Sequence, residues 1–253
     1  MKLSGVPETA LWTLYHRAVE ARRPGGLLRD PYAVELVERI DYPFEEVFGR
    51  GQAAQLQALR VLTFDREIRR FLEAWPRGTV VALGEGLETQ SWRVDNGQMH
   101  WVTVDLPEMI EVRNELMPAR TRRRTVAASA LNPGWMDALD PSHGVLVTAQ
   151  GLLMYLQPEE VERFFADCRE RLGGATMLFD AIPPWISRLS LEGRFKTRSY
   201  TPPPWPWGLS VEQARALGAH IVRPPRGRGL LHGVVLPLAH RLPALPNVYR
   251  VSF

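Results

Sequence analysis

Two glycines and an acidic residue in the middle of the chain have the types and spacing that hold a nucleoside. Gly84 and Gly86 directly follow an apolar run in the stretch VVALGEGLETQ, which spans residues 80–90. Glycines at a turn between a strand and a helix let a ligand approach the backbone closely. Asp105 ends the next apolar segment, about 20 residues further on, where a carboxylate accepts hydrogen bonds from ribose hydroxyls. The alternative is a structural turn with a solvated Glu85.

Two positions within this stretch indicate which nucleoside cofactor the turn could bind. A dinucleotide fingerprint needs a third glycine where this chain has Thr89, and Glu85 between the glycines would repel a pyrophosphate. S-adenosylmethionine has no phosphate, and its sulfonium and ammonium groups are cationic. The residues therefore favour S-adenosylmethionine and methyl transfer, with a nicotinamide oxidoreductase as the less favoured alternative.

Hydrophobic patterning predicts the elements that would position these residues. Residues 1–76 are predicted to be helical and to form a cover, with a long helix from about 52 to 75. Residues 77–253 are predicted to form the core, whose strand candidates alternate with helices: 79–83, 100–104, 125–128, 144–149, 175–180 and 247–253. This alternation predicts a mostly parallel α/β sheet, which binds ligands at the carboxyl ends of its strands.

Residues 181–208 interrupt the alternation and are rich in proline, tryptophan and arginine. We expect this insertion to form a lid. Trp185, Trp205 and Trp207 would offer flat surfaces to an aromatic acceptor, and the alternative is a proline-stiffened flap packed on the body. The later stretch 229–242 has a helix-like pattern.

Composition and charge narrow the class of protein. The 253 residues are 45% hydrophobic and 23% charged, which is typical of globular proteins, and the net charge is +3. The single Cys168 excludes a disulfide within the chain and a cysteine-built metal site, so no metal is expected. The arginines between 120 and 124 are interpreted as a solvated surface. We expect a cytoplasmic protein that binds neither nucleic acid nor membrane, and either a monomer or a homodimer.

Five segments, in their order along the chain, resemble the leucine carboxyl methyltransferase superfamily. They are LWTLYHRAVEARRPGGLLRDPYAVELVERI, ALRVLTFDREIRRFL, VVALGEGLETQSWRV, WVTVDLPEMIEVRNELMP and VLVTAQGLLMYLQPEEV. Within that superfamily they are most similar to a bacterial branch related to the tetracenomycin polyketide O-methyltransferase. The resemblance implies a Rossmann-like class I S-adenosylmethionine-dependent methyltransferase. Such a fold has a seven-stranded, mostly parallel sheet, a helical N-terminal cover and an insertion after the fifth strand.

The resemblance also implies roles for individual residues. Arg60 would bind the cofactor carboxylate, Gly84 and Gly86 would pass beneath the methionine part, and Asp105 would bind both ribose hydroxyls. The adenine would be lined by Leu106, Ser129, Ala130 and Leu131. The cofactor amine and methyl group would lie beside Gln150 and Gly151, and the wall on the substrate side would be Tyr155.

Three departures from the family pattern each remove a charged contact. The family usually has an aspartate and an arginine in the stretch 88–90, where this chain has Glu88, Thr89 and Gln90. It usually has an acid at Ser129 and often a glutamate at Gln150. A binding protein that kept the fold and lost catalysis is therefore a further alternative.

The sequence contains no compelling general base. A carboxylate acceptor is already ionised near neutral pH and needs none, so we predict carboxyl methylation of a small acidic metabolite, such as a polyketide. Arg17 would pair with that carboxylate, and Tyr15 would shape the pocket. The alternative is methylation of a hydroxyl group with His16 as the base. Core packing for Tyr15 and His16, and a surface charge for Arg17, are the non-catalytic interpretations.

Overall fold

Four helices precede the first strand in the computed structural model, which describes residues 8–119, 121–229, 232–233 and 245–253. They are α1 (Glu8–Arg22), α2 (Pro31–Arg39), α3 (Phe44–Phe48) and α4 (Ala54–Ala74). The helical prediction for this part of the chain, including the long helix, is confirmed for the described residues. Asp30 begins α2 as its N-cap and accepts a hydrogen bond from the Ala33 N–H at 3.1 Å.

Seven strands form one sheet in the order β3-β2-β1-β4-β5-β7-β6. Their bounds are β1 (Thr79–Leu83), β2 (His100–Asp105), β3 (Arg123–Ala127), β4 (Val145–Ala149), β5 (Thr176–Ala181), β6 (His220–Val222) and β7 (Asn247–Ser252). Strands β1 to β5 are parallel, and β7 runs antiparallel to β5 and β6. The seven-stranded, mostly parallel sheet is therefore confirmed.

The strand order changes direction at β1, which has β2 on one side and β4 on the other. Leu83, the last residue of β1, pairs with Val104 on one side and with Ala149 on the other, so the carboxyl ends coincide. A reversal of this kind opens a crevice at the carboxyl edge of a parallel sheet. Five further helices complete the described elements: α5 (Gln90–Arg93), α6 (Pro107–Leu116), α7 (Pro158–Arg171), α8 (Pro184–Leu191) and α9 (Val211–Leu217).

Two predictions about the sheet edges were wrong in detail. Strand β3 begins at Arg123, two residues before the predicted start at 125, because an edge strand with exposed residues lacks the apolar run that marked the other strands. The edge strand β6, which has only three residues, was not predicted. Arg120 and most of the helix-like stretch 229–242 lie outside the described residues.

The N-terminal helices and the sheet enclose separate apolar clusters. Leu11, Leu14 and Leu36 pack with Leu87 and Met109, which places α1 and α2 directly over the turn that follows β1. Both faces of the sheet are covered elsewhere by α4 and α7. Among the described helices, none is long and apolar enough to cross a membrane.

The insertion 181–208 contacts both the sheet side and the N-terminal helices. It contains α8, and Trp207 is buried in the main core with its backbone N–H donating to the Met154 carbonyl at 3.3 Å. Tyr200 meets Phe48 of α3 edge to face at 5.2 Å, and the Ser199 hydroxyl donates to the Val47 carbonyl at 2.9 Å. The insertion therefore bridges α3 and the core.

Candidate active site

The turn after β1 requires its two glycines. Gly84 and Gly86 have φ angles of 56° and 53°, a region that side chains with a Cβ rarely adopt. A Cβ at Gly84 would also lie 2.8 Å from Leu152 Cδ1, and a Cβ at Gly86 would lie 3.4 Å from Ala10 of α1. The backbone conformation and the close approach of the β4 loop both restrict this turn.

Asp105 lies at the carboxyl end of β2, where its side chain supports the glycine turn. Its Oδ2 accepts from the Gly86 N–H and its Oδ1 from the Leu106 N–H, each at 2.8 Å. Burial raises the pKa of this carboxyl, although both backbone N–H donors act in the opposite direction. Leu106 beside it is 43% exposed, which leaves an apolar surface next to the carboxylate. Each oxygen retains acceptor capacity for a hydroxyl group.

Glu85 is buried and forms an ion pair within the protein. Its Oε2 lies 3.0 Å from Arg113 Nη2 and accepts from the Thr103 hydroxyl at 2.5 Å and from the Trp101 Nε1–H at 3.3 Å. The interpretation of Glu85 as a solvated residue was therefore wrong. The sequence could not reveal that Arg113, 28 positions later on α6, neutralises it.

A buried ionic network connects the N-terminal helices to the segment that follows the glycine turn. It comprises Arg17, Asp30, Asp65, Glu88 and Arg93. Arg93 contacts all three carboxylates, at 2.8 Å from Asp30, 2.9 Å from Asp65 and 2.8 Å from Glu88. Gln90 also donates to Asp65 at 2.7 Å. Arg93 and Asp65 are residues that sequence reasoning missed, because neither belongs to the glycine pattern.

Glu88 is the member of the network that contacts Gln150, the residue after β4. Its Oε1 accepts from the Thr89 N–H and from Arg93, each at 2.8 Å, and its Oε2 accepts from Arg17 at 3.0 Å. Burial alone would raise the pKa of Glu88, but the two guanidinium groups outweigh it and lower that pKa to about 2. The carboxylate is therefore ionised throughout the neutral range.

Gln150 links the end of β4 to this network. Its Nε2 donates to Glu88 Oε2 at 3.3 Å, while its buried Oε1 has no hydrogen-bond partner among the described residues. Gly151, the next residue, has a φ of 66°, and a Cβ there would lie 3.1 Å from Arg60 Nη1. The structure thus places Arg60, Gln150 and Gly151 side by side.

Asp180, at the carboxyl end of β5, is a residue that sequence reasoning missed. Its Oδ2 accepts from Arg60 Nη1 at 2.9 Å and its Oδ1 accepts from the Gly151 N–H at 2.5 Å. Arg60 Nε is buried without a hydrogen-bond partner among the described residues. An available signal was that an acid ends ATMLFD as Asp105 ends HWVTVD, so two strands present carboxylates to the same edge.

Three of the residues predicted to line adenine lie in the loop that follows β3. Ser129 is exposed, whereas Ala130 and Leu131 are half-buried and pack against the core. The Trp135 Nε1–H donates to the Ala130 carbonyl at 3.0 Å and stabilises the loop. The adenine role of these residues stays a prediction.

The residues predicted on α1 are all buried and packed. The Tyr15 hydroxyl donates to the Gly49 carbonyl at 2.8 Å, and its ring stacks on Phe44. His16 Nδ1 lies 2.8 Å from the Trp12 carbonyl, and burial lowers the pKa of this histidine. Arg17 is 2% exposed. It bonds to Asp30, to Glu88 and to the Leu87 carbonyl, an arrangement that conflicts with both its predicted contact to an acceptor and a surface charge.

The aromatic residues predicted near the acceptor differ in exposure. Burial raises the pKa of Tyr155, and the nearby Trp205 side chain acts in the opposite direction. The Trp205 ring contacts Phe195 at a centroid distance of 5.0 Å, and Trp185 is 44% exposed. Trp207, 5% exposed, packs in the core, so its predicted contact with an acceptor conflicts with its position. Tyr155 and Trp205 are thus adjacent, beside Arg60 and Asp180.

Comparison with known proteins gives this arrangement a family. Residues 10–168 match the family model for leucine carboxyl methyltransferase. The tetracenomycin polyketide synthesis O-methyltransferase of Streptomyces glaucescens is 34% identical over 191 residues, which cover 75% of this chain and 71% of that relative. An S-adenosyl-L-methionine-dependent methyltransferase of Gibberella zeae is 31% identical over 176 residues, which cover 63% of this chain and 59% of that relative.

A solved structure supports the fold over nearly the whole chain. A DUF574 family protein from Streptomyces avermitilis superposes with a TM-score of 0.57 at 12% identity, covering 94% of this chain and 96% of that one. The family match and the 34% identity show that this protein belongs to the leucine carboxyl methyltransferase family, an enzyme family of S-adenosylmethionine-dependent methyltransferases.

Proposed function

We propose that this enzyme methylates a carboxylate of a small metabolite with S-adenosylmethionine as the methyl donor. The observation that carries the choice of acceptor is the state of the carboxylates around the crevice. Asp105, Glu88 and Asp180 each accept at least two hydrogen bonds from groups of the protein. A carboxylate that is already engaged by donors is a weak general base, and an ionised acceptor needs no base.

The described residues fit this cofactor. Asp105 would hold the ribose hydroxyls, and Leu106 would cover one face of the adenine. Arg60 has an unpartnered buried Nε and Gln150 an unpartnered buried Oε1, which suit a carboxylate and an ammonium respectively. These are the two charged groups at the methionine end of the cofactor.

The bound cofactor supplies an activated methyl group on a sulfonium. The chain's own residues bind and orient it, and they exclude water from the crevice. Transfer of that methyl group to the acceptor carboxylate would give a methyl ester and leave S-adenosylhomocysteine. Tyr155 and Trp205 would form the acceptor side of the site, and the insertion 181–208 would close over it as a lid. The tetracenomycin relative supports a polyketide-like acceptor.

Titration of the protein with S-adenosylhomocysteine tests the cofactor site. We expect binding that Asp105→Ala weakens about 100-fold, since two hydrogen bonds to a charged group are lost at roughly 1.5 kcal/mol each. The exposed Asp137, which pairs with Arg171 at 3.0 Å, provides the control Asp137→Ala with unchanged binding. Absence of binding in the wild type would favour the inactive binding protein instead.

Comparing two forms of the same acceptor tests whether the methylated group is a carboxylate. A candidate metabolite should be methylated when its carboxyl is free and should not react when that carboxyl has been esterified beforehand. Equal reaction of both forms would contradict carboxyl methylation.

A second candidate is methylation of a hydroxyl group, favoured by one observation about His16. Its lowered pKa keeps the imidazole neutral at pH 7, as a general base requires. His16→Ala with undiminished turnover would remove this candidate.

A further inference from the structure

Gln150 has one satisfied and one unsatisfied end. Its Nε2 donates to Glu88, and its Oε1 is buried without a hydrogen-bond partner among the described residues. Buried amide oxygens are nearly always paired, so an unpaired one beside a binding crevice indicates an acceptor whose donor is a ligand.

The direction of the Gln150 amide is determined by Glu88. If the amide were rotated by 180°, its carbonyl oxygen would face Glu88 Oε2 at about the same 3.3 Å, and two acceptors would repel each other. Glu88 therefore selects the orientation in which Nε2 faces the network and Oε1 faces away from it.

Glu88 can impose this orientation because it is itself immobilised. Thr89, Arg93 and Arg17 donate to its two oxygens at 2.8–3.0 Å, and its side chain is 7% exposed. Arg17 belongs to α1 and Arg93 to α5, so residues of the N-terminal helices and of the core hold it together.

We propose that Glu88 is a positioning residue that fixes Gln150 as the hydrogen-bond acceptor for the ammonium group of the cofactor. This inference rests on the proposed function, because it assumes that S-adenosylmethionine occupies the crevice. It assigns to Arg17, through Glu88, a role in cofactor recognition in place of the predicted contact with the acceptor.

The test compares two ligands that differ in the relevant group. S-adenosylhomocysteine carries the ammonium, whereas methylthioadenosine keeps the adenosine and the thioether but lacks the amino acid part. With Glu88→Gln we expect the affinity for S-adenosylhomocysteine to fall about tenfold, the effect of one charged hydrogen bond, and that for methylthioadenosine to stay within about twofold. In turnover assays the KM for S-adenosylmethionine should rise more than kcat falls.

Glu67→Gln is the matched control. Glu67 is also a buried carboxylate held by two arginines, Arg66 at 2.9 Å and Arg70 at 2.8 Å, but among the described contacts it has none with Gln150. Both ligands should bind this variant as they bind the wild type.

A second variant keeps the test decisive if Glu88→Gln does not fold. Glu88→Asp keeps the negative charge for Arg17 and Arg93 but withdraws the carboxylate from Gln150, so it should show the same selective loss for S-adenosylhomocysteine. Gln150→Leu should show that loss as well, and adding Glu88→Asp to it should weaken binding no further. Equal loss of both ligands, or no loss of either, would overturn the inference while leaving the proposed function intact. Wild-type protein that binds neither ligand would refute the proposed function and the inference with it.

Discussion

Individual carboxylates around the crevice differ in what neutralises them. Burial raises the pKa of Asp105, because the backbone N–H groups and the Arg113 charge that oppose it are weaker than the desolvation. Burial acts on Glu88 in the same direction, but Arg17 and Arg93 outweigh it. Partners from distant parts of the chain therefore decide whether a buried acid is easily protonated.

The acid stability of the protein should depend on Glu88. Its pKa is about 2 in the folded state against an ordinary value of 4.5 for a glutamate, so the unfolded chain binds the proton more tightly. The contribution of Glu88 to stability is fully present above pH 4.5 and is lost as the pH falls towards 2. In thermal denaturation, the Tm difference between wild type and Glu88→Gln should shrink between about pH 6 and pH 3. A difference that stays constant over that range would contradict this account.

Elements are joined here by side chains that serve two purposes at once. Asp30 is the N-cap of α2, and the same carboxylate accepts from Arg17 at 3.2 Å, from Arg93 at 2.8 Å and from the Thr89 hydroxyl at 2.7 Å. The pair Asp30-Pro31 predicts the start of the helix, because capping is local. The contacts with α1 and α5 are not local and could not be predicted.

Replacing two N-cap residues should distinguish the stability that comes from helix capping from the stability that comes from the ionic contacts. Asp30→Ala removes the cap and leaves two buried guanidinium groups short of a partner, so we expect a loss of about 3–5 kcal/mol. Ser210→Ala removes the side-chain cap of α9, which bonds to the Gln213 N–H at 3.1 Å, and should cost about 1 kcal/mol. Chemical denaturation of both variants gives the comparison. Similar losses would mean that the ionic network contributes little.

At the scale of the whole molecule, the insertion is the segment that brings α3, the core and the predicted acceptor side together. Trp207 of the insertion packs in the core, and the Ser187 hydroxyl donates to the Trp205 carbonyl at 2.7 Å. Tyr200 and Ser199, in the middle of the insertion, contact Phe48 and Val47 of α3. Docking of this kind holds Trp205 beside Tyr155.

Tyr200→Ala should weaken the packing of the insertion against α3. Loss of the ring contact with Phe48 should raise the KM for the acceptor several-fold and leave the KM for S-adenosylmethionine within about twofold, because the cofactor residues lie at the strand ends. Tyr200→Phe keeps the ring and serves as the control with unchanged constants. The readout is steady-state kinetics with each substrate varied in turn. Equal effects on both KM values would contradict a lid that acts on the acceptor.

Local pattern and residue type were enough to predict the family and most of the elements. Apolar runs such as 79–83 and the glycines after them depend on local conformation and burial, so periodicity and residue type revealed the strands, the long α4 and the turn. The same local pattern placed Asp105 at a strand end.

The pairing of the charged residues could be learned only from the folded chain. Arg17 and Glu88 are 71 positions apart and bond at 3.0 Å, while Arg60 and Asp180 are 120 positions apart and bond at 2.9 Å. Arg113 likewise changes Glu85 from an apparent obstacle in the turn into a buried ion pair. Electrostatic pairing depends on distance in space, to which a one-dimensional pattern of charges has no access, so the ionic network and the fixed orientation of Gln150 emerge only when the chain is folded.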